Sequence, residues 1–164
     1  MLKFTLNLFF IVFAIQVHSQ VVSNDTKIDQ VLNDWHKAAA AADFDAYFNL
    51  MTQDAVFIGT DATENWQLKA FKEFSKPFFD RGKAWSFTSL ERNVYHAGDV
   101  VYFDELLDTQ MGICRGSGVL KREDGALKIA HYVLSIAVPN ENVESLTLLK
   151  KGWDQKFIKE AKHQ

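Results

Sequence analysis

Polar and apolar positions along this chain follow first a helical period and then a strand period. From Ile28, apolar residues recur at Val31, Leu32, Trp35, Ala38, Ala39 and Ala42. That spacing of three or four predicts a helix entered through the polar Ser23, Asn24 and Asp25. The alanine run 38–41 lets this helix approach a neighbour closely. Asp43 predicts the cap of a second, short helix carrying Phe44, Tyr47, Phe48 and Met51. Ala55 to Ile58 reads as a short strand closed by Gly59. A third helix is expected from Glu64 or Asn65 to Lys76, with Trp66, Leu68, Phe71, Phe74 and Phe78 on or near one side. Pro77 should end or kink it, since proline inside a helix costs about 3 kcal/mol.

Beyond the Arg81-Gly82-Lys83 turn the period falls to two. Strands are predicted over Trp85 to His96, Val100 to Thr109, Gly112 to Arg122 and Ala126 to Val138, joined by short turns. Helices first and closely connected strands afterwards imply an α+β domain with a mainly antiparallel sheet. Pro139 and Asn140 stop the last strand. Leu146, Leu149, Trp153 and Phe157, with lysines opposite, predict an amphipathic C-terminal helix from Val143 to Lys162 that packs on the domain or on a partner.

The stretch from Cys114 to Pro139 sets a register. Asp124-Gly125 suits the positive-φ positions of a tight hairpin. Counting outward in unbroken alternation puts Gly118 opposite His131. Cys114, Gly116, Leu120, Ile129, Val133 and Ser135 then share their face. Two glycines beside a histidine remove side-chain volume from that patch, so a pocket is expected over it.

The first residues add a targeting signal to this picture. Lys3 precedes a run from Phe4 to Val17 that is apolar apart from Thr5, Asn7 and Gln16, followed by His18 and Ser19. The run is short for a membrane span, so it reads as a cleavable secretory signal over residues 1–19. The expected organisation is therefore signal 1–19, a domain over 20–140 and a helical extension over 141–164, in a protein secreted or held in a periplasm. Of 18 Lys and Arg only Lys3 leaves with the signal, so 17 cations face 21 acids and the net charge is −4. This argues against nucleic acid as a partner and against a membrane once the signal is cleaved. Cys114 is the one cysteine, which excludes an internal disulfide. Asn24-Asp25-Thr26 matches a glycosylation sequon. Aromatic residues reach 13%, enough to serve a core, a pocket or an interface.

Several segments carry a family likeness: Trp35 with Ala42-Asp43-Phe44-Asp45, Asp54 to Gly59, Phe78 to Trp85, Tyr102-Phe103-Asp104-Glu105, Arg115 to Leu120, and His131 to Pro139. In this order and spacing the chain resembles the nuclear-transport-factor-2-like cone fold, in particular its SnoaL-like branch, over about residues 26–140. The resemblance implies a cone-shaped curved antiparallel sheet wrapped by three N-terminal helices. It leaves activity open, because the fold hosts enzymes, binding proteins and association domains alike. Among the enzymes of this shape are the ketosteroid isomerases, whose carboxylate base and tyrosine–aspartic acid oxyanion hole are a standard example of pKa tuning. Carried onto this chain, the tyrosine falls on Trp35, the base on Gly59 and the aspartic acid on Gly118. None of the three can do that chemistry in that way.

Replacement chemistry would rest on His131 as acid or base together with Asp104 or Glu105, one of which must face inward because they are adjacent. Arg115 is expected to pair with the outward one, and Asp61 and Glu64 to sit near the cavity mouth. His36, next to Trp35 on the helix, is expected to be at least half exposed. His36, His96, His131 and His163 show no metal-ligand spacing, and no phosphate loop is present, so neither metal nor cofactor is implied. The expected pocket lining is Trp35, Tyr47, Phe57, Trp66, Gly116, Gly118 and His131. Three readings follow: a domain binding a small apolar molecule, an isomerase, dehydratase or cyclase using His131 with a carboxylate, or a homodimerising association module. The last would use an outer sheet face bearing Val119, Ala130, Tyr132 and Leu134.

Overall fold

The computed structural model describes residues 26–163. The expected signal segment and Asn24-Asp25 of the sequon lie outside them. Helix α1 spans 26–40, and α2 (Phe44–Asn49) is capped by Asp43, whose carboxylate accepts from the Ala46 amide at 3.0 Å. Strand β1 (Met51–Ile58) and the short β2 (Asn65–Gln67) pair around a loop that begins at Gly59. Helix α3 (Leu68–Asp80) follows, then β3 (Phe87–Ala97), β4 (Val100–Thr109), β5 (Gly112–Glu123) and β6 (Ala126–Ile136). A 3-10 turn (Asn140–Asn142) leads into α4 (Val143–Ala161).

The six strands form one sheet in the order β2-β1-β6-β5-β4-β3. All neighbours are antiparallel except β1 and β6, which run parallel. This is the α+β class, with a curved sheet around three N-terminal helices. The apolar side of α1 (Ile28, Leu32, Trp35, Ala38, Ala39) packs with Phe103, Leu107, Cys114, Leu120, Ile129 and Tyr132 in a single core cluster.

Four local features depart from the sequence expectations. First, α3 starts at Leu68 because Trp66 is drawn into β2, where it pairs with Phe57. Second, the helix continues through Pro77 to Asp80. Pro77 is exposed in the last turn, so the carbonyl it leaves unpaired can turn to water. Third, β1 begins earlier than expected, at Met51, and carries an irregularity before Val56.

The fourth departure is decisive for the site. In the β5–β6 ladder Leu120 pairs with Ile129, but Val119 pairs with His131 and Gly118 with Tyr132. Ala130 is the extra residue of a β-bulge, and a bulge shifts every later side chain to the other face. The inner face of β6 therefore carries Ile129, then Tyr132 and Leu134, which are buried, while His131 points to the other side. Unbroken alternation placed His131 inside and Tyr132 and Leu134 outside. The one-residue bulge reverses all three.

α4 forms over Val143–Ala161 but buries none of its residues, so the expected packing of an apolar face on the domain is not seen. Leu149 is 83% exposed, and Trp153 stacks on Phe157 at 5.0 Å along the helix itself. Among the described residues no helix is long and apolar enough to cross a membrane.

Candidate functional site

Of the adjacent pair on β4, Glu105 faces inward and is wholly buried. Asp104 faces outward, 3.6 Å from Arg115, as alternation requires. An isolated buried carboxylate is costly, so Glu105 must be paired and hydrogen-bonded. Four donors converge on it. His36 Nε2 and the Tyr132 hydroxyl donate to Oε1, each at 2.9 Å. Arg92 Nε and Nη2 donate to Oε2 at 3.0 and 2.8 Å. Arg92 in turn reaches Asp29 Oδ1 at 2.8 Å and Asn33 Oδ1 at 3.1 Å on α1. One carboxylate thus ties α1 to β3, β4 and β6.

Burial alone pushes the Glu105 pKa up, but the hydrogen bond and charge of His36 and those of Arg92 pull it below the ordinary carboxylate value. Burial, and next the Glu105 charge, pushes Tyr132 well above the ordinary tyrosine range, which keeps it a neutral donor. His36 is only 4% exposed, contrary to the half-exposed position expected of it. The sheet curls far enough around α1 to bury two adjacent helix positions, Trp35 and His36.

The glycines on this face serve tight packing. A Cβ at Gly116 would collide with the Tyr132 hydroxyl, and one at Gly118 would meet the His131 carbonyl and lie 2.9 Å from the Phe103 ring. The pocket expected over Gly116 and Gly118 is therefore filled by the side chains of Tyr132 and Phe103. Trp35 and Tyr47 are core residues, stacked at 4.8 Å, with Tyr132 edge-on to Trp35. Burial drives the Tyr47 pKa well up, against a weaker pull from Trp85. Trp35 Nε1, the Tyr47 hydroxyl and Ser75 Oγ are buried with no partner of hydrogen-bonding geometry among the described residues.

Of the residues proposed for catalysis, Glu105 is saturated by its four donors, Asp104 is on the outer face, and His131 lies across the sheet from Glu105. They do not converge on one reacting centre, and the reason is the bulge at Ala130. Among the described residues no three His, Cys, Asp or Glu side chains gather into a metal site.

The open aromatic space lies further toward the rim of the cone. A cavity of about 110 Å³ is bounded by Phe57, Trp66, Phe71, Phe74, Trp85 and Phe87, with Gln110, Met111 and Leu134 closing one side. Phe57 and Trp66 are thus the two expected pocket residues that line a cavity. The rings are nearly coplanar in orientation. Phe57 and Phe71 stack at 4.1 Å and 10°, Trp66 and Phe74 at 4.3 Å and 24°, and Phe71 and Trp85 lie 24° apart. Phe87 and Leu134 escaped the sequence reading, the first because it opens β3, the second because of the bulge.

Glu64 lines this cavity and also the groove beneath α4, between the two. The loop between β1 and β2 is closed by Gly59 N–H donating to Glu64 O at 2.9 Å, and the side chain folds back over Gly59. A Cβ at Gly59 would occupy the space of the Glu64 carboxylate. That carboxylate accepts from the Asp61 amide at 3.2 Å and has no ion-pair partner among the described residues. Larger hollows lie elsewhere and, like the rim cavity, open to solvent. One of about 840 Å³ adjoins the first turn of α1 and carries Lys27, His96, Asp99 and Arg122. Another, about 1180 Å³, runs under α4. Only the rim cavity is walled by converging rings.

Comparison with known proteins agrees with this architecture. Similar solved structures include an NTF2-like protein of unknown function from Pseudomonas putida KT2440, with 16% identity over 74% of this chain and 92% of that one, at a TM-score of 0.61. An NTF2-like protein from Cytophaga hutchinsonii has 18% identity over 67% and 95%, at 0.57. The association domain of C. elegans CaMKII has 19% identity over 69% and 95%, also at 0.57. Identities this low speak for the fold alone. No curated protein sequence matches this chain. The SnoaL-like domain model matches residues 28–139, from the first buried residue of α1 to the proline before α4, and on that match the chain belongs to the SnoaL-like domain family.

Proposed function

We propose that this domain binds a small, flat, largely apolar molecule in the rim cavity between α3 and the sheet. The observation that carries the reading is the cluster of near-parallel, mutually packed rings of Phe57, Phe71, Trp66 and Trp85 that lines an open hollow. A dry apolar cavity of about 150 Å³ holds benzene, so about 110 Å³ with an open mouth takes one ring only partly, leaving its outer edge and any substituent outside. Stacking on rings already aligned adds about 0.5–1.5 kcal/mol beyond burial. Turnover is not part of the proposal, because the residues expected to supply it are held apart.

The test is a titration of the protein with toluene, followed by the fluorescence of Trp66 and Trp85 and by methyl NMR shifts of Met111 and Leu134. Saturable shifts at these residues, abolished by filling the cavity with Leu134→Trp, are the expected result. Shifts that do not saturate, or that survive Leu134→Trp, would remove the reading.

A second reading concerns assembly, since a pair of these domains is compatible with ligand binding in each. Tyr95 and Tyr102 stack at 5.1 Å on the outer sheet face while 42% and 44% exposed. Exposed aromatic pairs of this kind favour a partner, and a similar fold serves as an association domain in another protein. We place the homodimer on this face, with secretion of the chain after cleavage behind Ser19. Light scattering at micromolar concentration should give twice the monomer mass, and N-terminal sequencing of exported protein should begin at Gln20.

A further inference from the structure

From the position of Glu64 we infer that the ligand carries a cationic amine, so that the rim cavity holds the ring and the Glu64 carboxylate holds the ammonium group. This rests on the cavity reading above and narrows it to one chemical class.

Three observations support it. Among the described residues that line the cavity, Glu64 is the one charged side chain. It is half-buried, and a partly desolvated carboxylate at an apolar wall needs a counter-charge. Its only bonds among the described residues are internal to its loop: a long contact from the Asp61 amide at 3.2 Å, and no ion pair. An arriving ammonium would supply the missing partner.

The backbone is also shaped to hold the carboxylate there. Gly59 leaves the volume into which Glu64 folds, so the absence of a side chain at 59 places a carboxylate at 64. The neighbouring Asp61 carboxylate is turned into the loop, where it takes the Thr63 amide at 2.8 Å and the Thr63 hydroxyl at 2.6 Å. The aromatic wall adds to the same preference, because Trp66 and Phe74, stacked on each other, line the same cavity as Glu64, and a cation within about 6 Å of a ring face is attracted to it. A carboxylate with a neighbouring aromatic wall and no cation disfavours an acid or a phosphate ester. A neutral ring would fill the cavity and leave Glu64 unpaired.

The experiment compares toluene, benzyl alcohol and benzylamine on the wild-type protein, on Glu64→Gln and on Glu91→Gln. Glutamine keeps the acceptor for the Asp61 amide while removing the charge. Glu91, exposed on β3 outside the cavity lining, controls for the change in net charge. Charge-assisted hydrogen bonds are roughly twice as strong as neutral ones, so benzylamine should bind about fivefold more tightly than benzyl alcohol. The ratio should fall to about one in Glu64→Gln, persist in Glu91→Gln, and shrink at about 1 M salt, because the pair is only half-buried. If toluene binds but benzylamine gains nothing over the alcohol, or keeps its gain in Glu64→Gln, the amine inference is overturned and the cavity reading stands. If none of the three binds, the cavity reading falls and this one with it.

Discussion

Replacing Glu105 by Gln should cost this fold a large part of its stability. The carboxylate is wholly buried and receives Arg92 through two nitrogens at 3.0 and 2.8 Å and His36 and Tyr132 at 2.9 Å each. Glutamine keeps one oxygen, which will turn to Arg92, and offers an NH2 group where two donors now point. His36 can answer by changing tautomer, and the tyrosine hydroxyl by rotating. The Arg92 charge cannot adjust: its side chain is 6% exposed and keeps only Asp29, itself 51% exposed, as a counter-charge. Breaking one partner of a buried pair costs about 3–5 kcal/mol, and the partial rescue by glutamine places this variant near the lower end. A domain of this size is stable by only about 5–15 kcal/mol, so Tm should fall by roughly 10 °C.

Urea unfolding followed by tryptophan fluorescence measures the loss, and its pH dependence identifies the cause. Because the folded-state pKa of Glu105 is lowered from 4.5, the unfolded chain binds the proton more readily. Its contribution is fully present above the ordinary carboxylate range and disappears as pH falls through the lowered folded value. Wild-type protein should therefore lose stability below about pH 4.5 more steeply than Glu105→Gln. The double variant Glu105→Leu with Arg92→Met should be more stable than either single change, since no charge is then stranded. A Glu105→Gln protein within about 0.5 kcal/mol of wild type, the ordinary scatter of surface changes, would refute this reasoning.

Other perturbations have defined outcomes. Gly116→Ala forces a methyl against the Tyr132 hydroxyl and should destabilise by about 1–3 kcal/mol, with partial relief in the Tyr132→Phe background. Deleting Ala130 removes only the extra residue, so Ile129, His131, Tyr132 and Leu134 keep the partners and faces they have now. Near-UV circular dichroism of that variant should retain the native aromatic signature, whereas inserting a second residue after Ala130 should abolish it. Tyr102→Lys, at the centre of the exposed tyrosine pair, should shift light scattering from dimer to monomer without changing the far-UV spectrum.

How far the sequence reaches into this structure depends on the kind of signal. The helices of the N-terminal half and the four long strands follow from period alone, since burial on one side writes itself into spacing. The division of labour between Asp104 and Glu105, and the pairing of the former with Arg115, follow from alternation. Ala130 shows where such counting fails. No glycine or proline marks the bulge, yet one extra residue exchanges His131 for Tyr132 on the inner face and changes the chemistry inferred for it. His36 is a failure of another kind. The helical pattern shows one buried stripe, but a strongly curved sheet covers more of α1 than a flat one would, and the wider arc takes in a histidine that bonds to Glu105. The role of Gly59 depends on a residue five positions away folding back, which no local pattern records.

The most direct test of ligand binding is a crystal of the protein soaked with toluene. Ordered density in the hollow lined by Trp66, Phe71 and Trp85, with Phe103 and Tyr132 still packed over the inner glycines, is the predicted result. A rim closed by collapsed side chains and empty of toluene, or toluene found only in the groove beneath α4, would contradict it.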